Sequence, residues 1–378
     1  MIVDCHAHVF QSWEGACGHP SSEIHRRYIQ KVQTRTAARV YRARDGKQFS
    51  GQLLFKEADN SWAGLKEVNF RVGNYGRLDF TIDGEDFHSQ YMPVGMQQIV
   101  APPELMLAQM LNAGVDHSVL QTGWGYGMMN DYNAFAQNQY PEKFTAMLQV
   151  DEPRAYTEEN LKEFDRAQKT LGLRAVYFAL DGYARYDFDI GFDDRRMDAF
   201  WSKIDAARLP VFFEATAIPD YKEDNYVSIM HSLHALMQRY RNIRFVLVMG
   251  PPVAFYGKTD KWEFPDSVMK TYKHENILIE IMFPITWGGK WDYPYPEAQS
   301  LIEDMRDKFG ASKLIWGSDM PNVERFCTYK QSLDYVKRHC SFLKASEKDA
   351  ILGGNVDKLL RISERCAGQQ ARAATVSE

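Results

Sequence analysis

Short apolar runs of the buried-strand type recur along the chain, with amphipathic stretches between them. They predict strands at 2–6, 117–121, 144–150, 173–179, 210–214, 244–249, 277–282 and 313–317, eight in all. Helical patterns fill the gaps. One begins at Pro102-Pro103-Glu104 and closes at Gly114, with proline in the first turn and glycine after the last. Residues 195–207 place Met197, Phe200, Trp201 and Ile204 on one stripe, and residues 224–240 do likewise with Tyr226, Met230, Leu233, Met237 and Tyr240. Strands alternating with helices imply parallel crossovers. A closed (β/α)8 TIM barrel is the natural solution, with a doubly wound open sheet as its competitor. The barrel is preferred because candidate ligands fall at the C-terminal ends of strands from both ends of the chain.

The pattern breaks once. Residues 11–100 form a long excursion after the first strand, with eleven aromatics and alternating stretches such as Arg77-Leu78-Asp79-Phe80-Thr81-Ile82. A structureless loop of that size is improbable on physical grounds, so the excursion reads as a β-containing cap over the barrel mouth. The expected organisation is a single barrel domain over 1–365 with this cap inserted, followed by a small, polar, disordered tail over 366–378.

Composition narrows the function classes. The 378 residues are 45% hydrophobic and 25% charged, an ordinary globular balance. A net charge of −5 makes no electrostatic case for nucleic acid or an anionic membrane. The five cysteines are scattered without a C-x-x-C pair, which suits reduced thiols. Asp4, His6 and His8 interrupt the N-terminal apolar run, and no run is long enough to span a bilayer. A cytoplasmic protein is expected.

Candidate chemistry starts at His6-Ala7-His8. Two histidines at i and i+2 on a strand share a face, and two neutral imidazoles aimed at one point are half of a metal site. Asp319, in Leu314-Ile315-Trp316-Gly317-Ser318-Asp319, is the complementary candidate at the other end of the chain. It is a candidate for proton transfer as well as ligation. His88 in the cap is a candidate replacement acid/base. Arg174 on the fourth strand could anchor a substrate carboxylate, and an aromatic lid carrying Arg71, Arg77 and Tyr75 would suit a planar, anionic substrate.

Val3-Asp4-Cys5-His6-Ala7-His8 resembles the first-strand motif of the amidohydrolase superfamily. The likeness is greatest to the branch of aminocarboxymuconate-semialdehyde decarboxylase and the non-oxidative aromatic acid decarboxylases. Further matches are Leu111-Asn112-Ala113-Gly114-Val115-Asp116, Tyr140-Pro141-Glu142-Lys143-Phe144, Trp316-Gly317-Ser318-Asp319-Met320-Pro321 and Gly354-Asn355-Val356-Asp357-Lys358-Leu359-Leu360. The resemblance runs from Met1 to about Ile362, the cap excepted. It implies a barrel with one divalent ion at its C-terminal face, held by the first-strand pair, a strand-five histidine and the strand-eight aspartate. His6, His8 and Asp319 match.

Two positions depart from that pattern. Strand five, Leu209-Pro210-Val211-Phe212-Phe213, continues with Glu214 instead of histidine, which gives His6, His8, Glu214 and Asp319 as the ligand set. Two oxygen donors make manganese or iron candidates beside zinc. Strand six reads Phe245-Val246-Leu247-Val248-Met249-Gly250, so the family's acid/base histidine is replaced by Val248 or Met249. The resemblance implies non-oxidative decarboxylation of a small aromatic or cyclic carboxylic acid by a homodimer. A metal-dependent hydrolase or hydratase is the alternative, and it tolerates the missing histidine better. A non-catalytic barrel homologue is the third reading.

Overall fold

The computed structural model describes residues 1–35, 40–49, 53–56, 62–184, 190–216 and 222–368. The expected tail lies almost wholly outside these. In chain order the strands are β1 (Val3–Ala7), then β2 (Val40–Arg42), β3 (Gln48–Phe49), β4 (Arg71–Val72), β5 (Arg77–Ile82) and β6 (Glu85–Gln90) in the insertion. After the insertion come β7 (His117–Leu120), β8 (Phe144–Leu148), β9 (Ala175–Ala179), β10 (Val211–Glu214), β11 (Phe245–Leu247), β12 (Ile277–Ile281) and β13 (Leu314–Trp316).

Each of the eight apolar runs becomes a parallel strand, in the order β1-β7-β8-β9-β10-β11-β12-β13. A parallel bridge between Ala7 and Met320 joins the last strand's exit to the first, reinforced by His8 N–H to Met320 O at 2.8 Å and Asp319 N–H to His6 O at 2.8 Å. The sheet is therefore closed, and an (α/β)8 TIM barrel is the fold. Period-two alternation sorts the strand residues. Val3, Cys5, Val119, Met147, Tyr177, Phe212, Val246, Leu278 and Ile315 fill the interior together with Val356 and Leu360. Residues of opposite parity, such as Phe178, Phe213, Phe245, Ile279 and Trp316, pack against the helices.

The helical stripes predicted from periodicity bury as expected. The first patterned helix spans Pro103–Ala113, and Gly114 ends it in the left-handed region at φ 73°. Phe200, Trp201 and Ile204 are buried on Asp198–Ala207, and Tyr226, Met230, Leu233 and Met237 on Glu223–Arg239.

The insertion contains a helix, Ser22–Arg35, and an antiparallel sheet ordered β3-β2-β6-β5-β4. Its two ends meet in the Phe10–Ala101 bridge, hydrogen-bonded in both directions at 2.7 and 3.0 Å. Phe10, Trp13, Ile29, Leu78, Met92 and Ile99 form its core beside the barrel, while Val40, Leu54, Phe80 and Phe87 form a second, outer one. All five cysteines are free. Among the described residues no helix is long and apolar enough to cross a membrane.

Candidate metal centre

The site begins with a defect in a strand. Val3 faces His117 and Asp4 faces Ser118, but Ala7 faces Leu120, so β1 carries one residue more than its partner over this stretch. A bulge of this kind re-aims side chains. It lets Cys5 point into the barrel interior while His6 and His8 both face the cavity at the C-terminal mouth. At the opposite seam the buried Asp4 carboxylate accepts bonds from Ser318 N–H at 2.9 Å, Ser318 Oγ at 2.5 Å, Tyr329 OH at 2.8 Å and His6 N–H at 3.0 Å. That clip fixes the turn after β13 and so places Asp319.

His6, His8 and Asp319 are all buried, and their ligand atoms lie within 4.8 Å of one another. His6 Nε2 and His8 Nε2 are 3.1 Å apart, and Asp319 Oδ1 lies 3.0 Å from His8 Nε2 and 3.8 Å from His6 Nε2. Donors each about 2.1 Å from one ion have separations of this size. Proton counting favours a cation at their centre. His6 Nδ1 sits 3.0 Å from Glu280 Oε2, so its proton belongs there and Nε2 presents a lone pair inward. Two imidazole nitrogens and a carboxylate oxygen then converge on one point. The donor set fits a divalent ion.

Electrostatics without an ion point the same way. Burial pulls the His6 pKa down, but the Glu280 charge and hydrogen bond, with Asp319 and Asp4, raise it from 6.5 to about 9. Burial lowers that of His8. For Asp319 burial acts upward, yet the His8 hydrogen bond, the charges of both histidines and Asn322 keep its pKa below the ordinary value. The centre attracts positive charge.

Glu280, on β12, was not foreseen from the sequence. The signal was there: an acid inside the apolar run Ile277-Leu278-Ile279-Glu280-Ile281 must have partners if buried. It accepts from His6, from Gln121 Nε2 at 3.2 Å, from Cys5 Sγ at 3.2 Å and from Met249 N–H at 2.8 Å. The last of these explains the end of strand six. Met249 and Gly250 both adopt left-handed backbone, φ 65°, which delivers the Met249 amide to Glu280. Val248 stays in the barrel core, whereas Met249 lines the cavity. Met249 therefore stands where the resemblance places an acid/base histidine.

The centre opens into a cavity of about 490 Å³ walled by aromatic side chains, among them Trp13, Tyr91, Trp124, Tyr126, Tyr177 and Trp287. Tyr126 stacks on His8 with ring centroids 4.2 Å apart. Glu214 lines the same cavity, but its carboxylate is hydrogen-bonded by Tyr177 OH, and it stands outside the three-residue cluster. Ligation by Glu214 is not part of this geometry. The inserted segment contributes Trp13, Val32 and Tyr91 to the wall.

Other residues singled out from the sequence lie elsewhere. Arg174 precedes β9 at its N-terminal end, with its N–H on Ala146 O and its charge felt by Arg365, on the face away from the cavity. The predicted strand, 173–179, already put Arg174 at its N-terminal end, so the expected role as a substrate-carboxylate anchor at the C-terminal mouth is not met by this placement. His88 sits on β6 opposite Asp79 and Tyr41, with its ring 5.8 Å from that of Tyr41. Arg71 is committed to Asp86 at 3.1 Å and Thr81 at 3.0 Å. Arg77 opens β5, and Tyr75, 51% exposed, sits in the turn before it. None of these five lines the cavity: Arg174 is at the other end of the barrel, and the inserted sheet turns its apolar side chains into its own cores and leaves the other four outside the cavity wall. Among the described residues the arginine that lines the cavity is Arg325.

The amidohydrolase family profile matches residues 3–362. The chain belongs to the amidohydrolase family. Members of the superfamily generally use a divalent metal, as the three-residue centre would allow. An L-fucono-1,5-lactonase from Burkholderia ambifaria is 29% identical over 181 residues, covering 45% of this chain and 60% of that protein. The chain thus spans less than two thirds of that curated relative. A probable 2-pyrone-4,6-dicarboxylic acid hydrolase from Acinetobacter baumannii, solved with citric acid bound, shares the fold at TM-score 0.54 and 15% identity, covering 95% of this chain and 98% of that one. A dihydroxybenzoic acid decarboxylase from a Polaromonas species, solved with manganese and 2-nitroresorcinol, shares it at TM-score 0.50 and 14% identity, over 68% and 85%.

Proposed function

We propose that this amidohydrolase opens a small cyclic ester by hydrolysis. The observation that carries the reading is the placement of proton-handling groups. Asp319 lies on one side of the cavity, the Tyr177–Glu214 pair on the strands β9 and β10, and Met249 stands at strand six. Ester hydrolysis needs a base for water and an acid for the departing oxygen. Asp319 Oδ1 is held by His8 and by Asn322 Nδ2 at 2.7 Å, so its carboxylate is oriented to take a proton from water. Tyr177, hydrogen-bonded to Glu214, supplies a hydroxyl that can protonate the leaving alkoxide. The aromatic walls hold a ring and exclude bulk water. His6, His8 and Asp319 would hold a divalent ion, which would supply Lewis acidity. The names of two relatives support the reading, one a lactonase and the other a pyrone hydrolase.

Non-oxidative decarboxylation of an aromatic acid is the second reading. The aromatic lining and the decarboxylase among the fold relatives favour it. Metal-loaded protein offered a panel of sugar lactones and pyrones should release acid, followed with a pH indicator, and should release no carbon dioxide from hydroxybenzoates. Carbon dioxide release without lactone opening would replace the first reading by the second.

A further inference from the structure

The cavity holds Arg325, and its setting differs from that of a structural arginine. A single 3-10 turn, Asn322–Arg325, follows the Asp319 loop. Residues three apart on such a turn lie on one side, so Asn322 and Arg325 reach the cavity together. Arg325 Nε donates to the Asn322 carbonyl at 3.2 Å. The guanidinium lies 5.7 Å from the Tyr91 ring centroid and 5.2 Å from that of Phe326, which restrain its plane. Among the described residues no carboxylate lies within ion-pair distance of it, while other part-buried arginines such as Arg42 and Arg166 are paired. Among the described residues the remaining lining charges are acidic or imidazole: Asp181, Glu214, Asp319, His6 and His8. A restrained planar fork with its Nη atoms uncommitted matches a carboxylate in bidentate geometry.

We propose that Arg325 is the specificity-determining residue for an anionic substituent, and that the ring compound bound in this cavity carries a carboxylate. This builds on the reading of the cavity as a substrate site for a ring compound, but its test needs no turnover. Benzoate and benzamide are nearly equal in size and shape and differ in charge. Calorimetric titration of the metal-loaded protein should show benzoate binding more tightly than benzamide. Arg325→Met should weaken benzoate by about 10- to 100-fold and leave benzamide unchanged, with metal content and melting temperature retained. Arg325→Lys, which keeps the charge and loses the fork, should fall between the two. It also serves should the methionine variant fold poorly. Equal binding of both probes by wild type, no binding of benzoate near its solubility limit, or an undiminished benzoate affinity in either variant would overturn the assignment. Loss of charge preference with intact lactone hydrolysis would refute the Arg325 role alone. A charge preference without any lactone opening would refute the hydrolase reading alone.

Discussion

Glu280 acts through His6. Its carboxylate, 3.0 Å from Nδ1, fixes the proton there and turns Nε2 inward. Partners of this kind typically contribute 10–100-fold to metal affinity. Glu280→Gln should weaken the metal by about that factor while leaving the circular dichroism spectrum unchanged, as measured by competition with a chromogenic chelator. Gly317 serves the same histidine by having no side chain. A Cβ there would meet His6 Cβ at 2.8 Å, Glu280 Oε1 at 3.1 Å and Cys5 Sγ at 3.2 Å. The nearest of these, His6 Cβ, is fixed to the backbone, and the Glu280 carboxylate is held by its own hydrogen bonds, so Gly317→Ala should displace the imidazole and cost at least about tenfold in metal affinity. The same titration would show it, and an unchanged affinity would mean the ring absorbs the methyl group.

At the scale of elements, the barrel's two faces carry different chemistry. At the N-terminal end of β7, His117 Nδ1 donates to Glu142 O at 3.0 Å and Nε2 accepts from Thr145 Oγ1 at 2.8 Å, which in turn accepts from Arg365 at 2.6 Å. That arrangement suits a neutral imidazole, and burial, with the Arg365 and Lys143 charges, lowers its pKa from 6.5 to about 4. An unfolded histidine binds protons more readily below about 6.5, so stability rises with pH between 4 and 6.5 and is lost as pH falls. From pH 7 to pH 5 this group alone should remove about 2 kcal/mol. Urea denaturation at the two values should show it, and the drop should shrink in His117→Gln. At the other seam, Asp4 joins β1 to the turn after β13. Asp4→Ala strands the Ser318 and Tyr329 hydroxyls and should cost about 3 kcal/mol by the same method. A loss under about 1 kcal/mol would mean that the seam is held by backbone bonds alone.

For the molecule as a whole, an ion bound only by the folded barrel should stabilise it by about 3 kcal/mol at a hundredfold excess over its dissociation constant. Chelation should therefore lower the melting temperature of wild type and change that of Asp319→Asn far less. The strands were legible because burial on both faces demands unbroken apolar runs, and eight such runs with helices between them admit few closed solutions. Strand six is shorter than its apolar run, Phe245–Leu247 against 244–249, since the left-handed Met249 and Gly250 turn the chain toward Glu280. His6, His8 and Asp319 could be recognised because a ligand pair at strand spacing is a local pattern. Glu214 was expected as a fourth ligand, but it lines the cavity outside the three-residue cluster with Tyr177 of the neighbouring strand as its partner, a pairing that depends on register. The cap arginines misled because composition says that a segment carries charge, not which face of its sheet carries it. The sequence by itself determined the repeating strand and helix units, their order and the His6-Ala7-His8 pair, all set by residues within a few positions of one another, whereas Asp319 joins that pair only when the last strand closes on the first. Closure of the barrel alone decided which side chains share the cavity. Glu280, Tyr177 and Arg325 lie far from His6 along the chain, and only packing across strands brings them together.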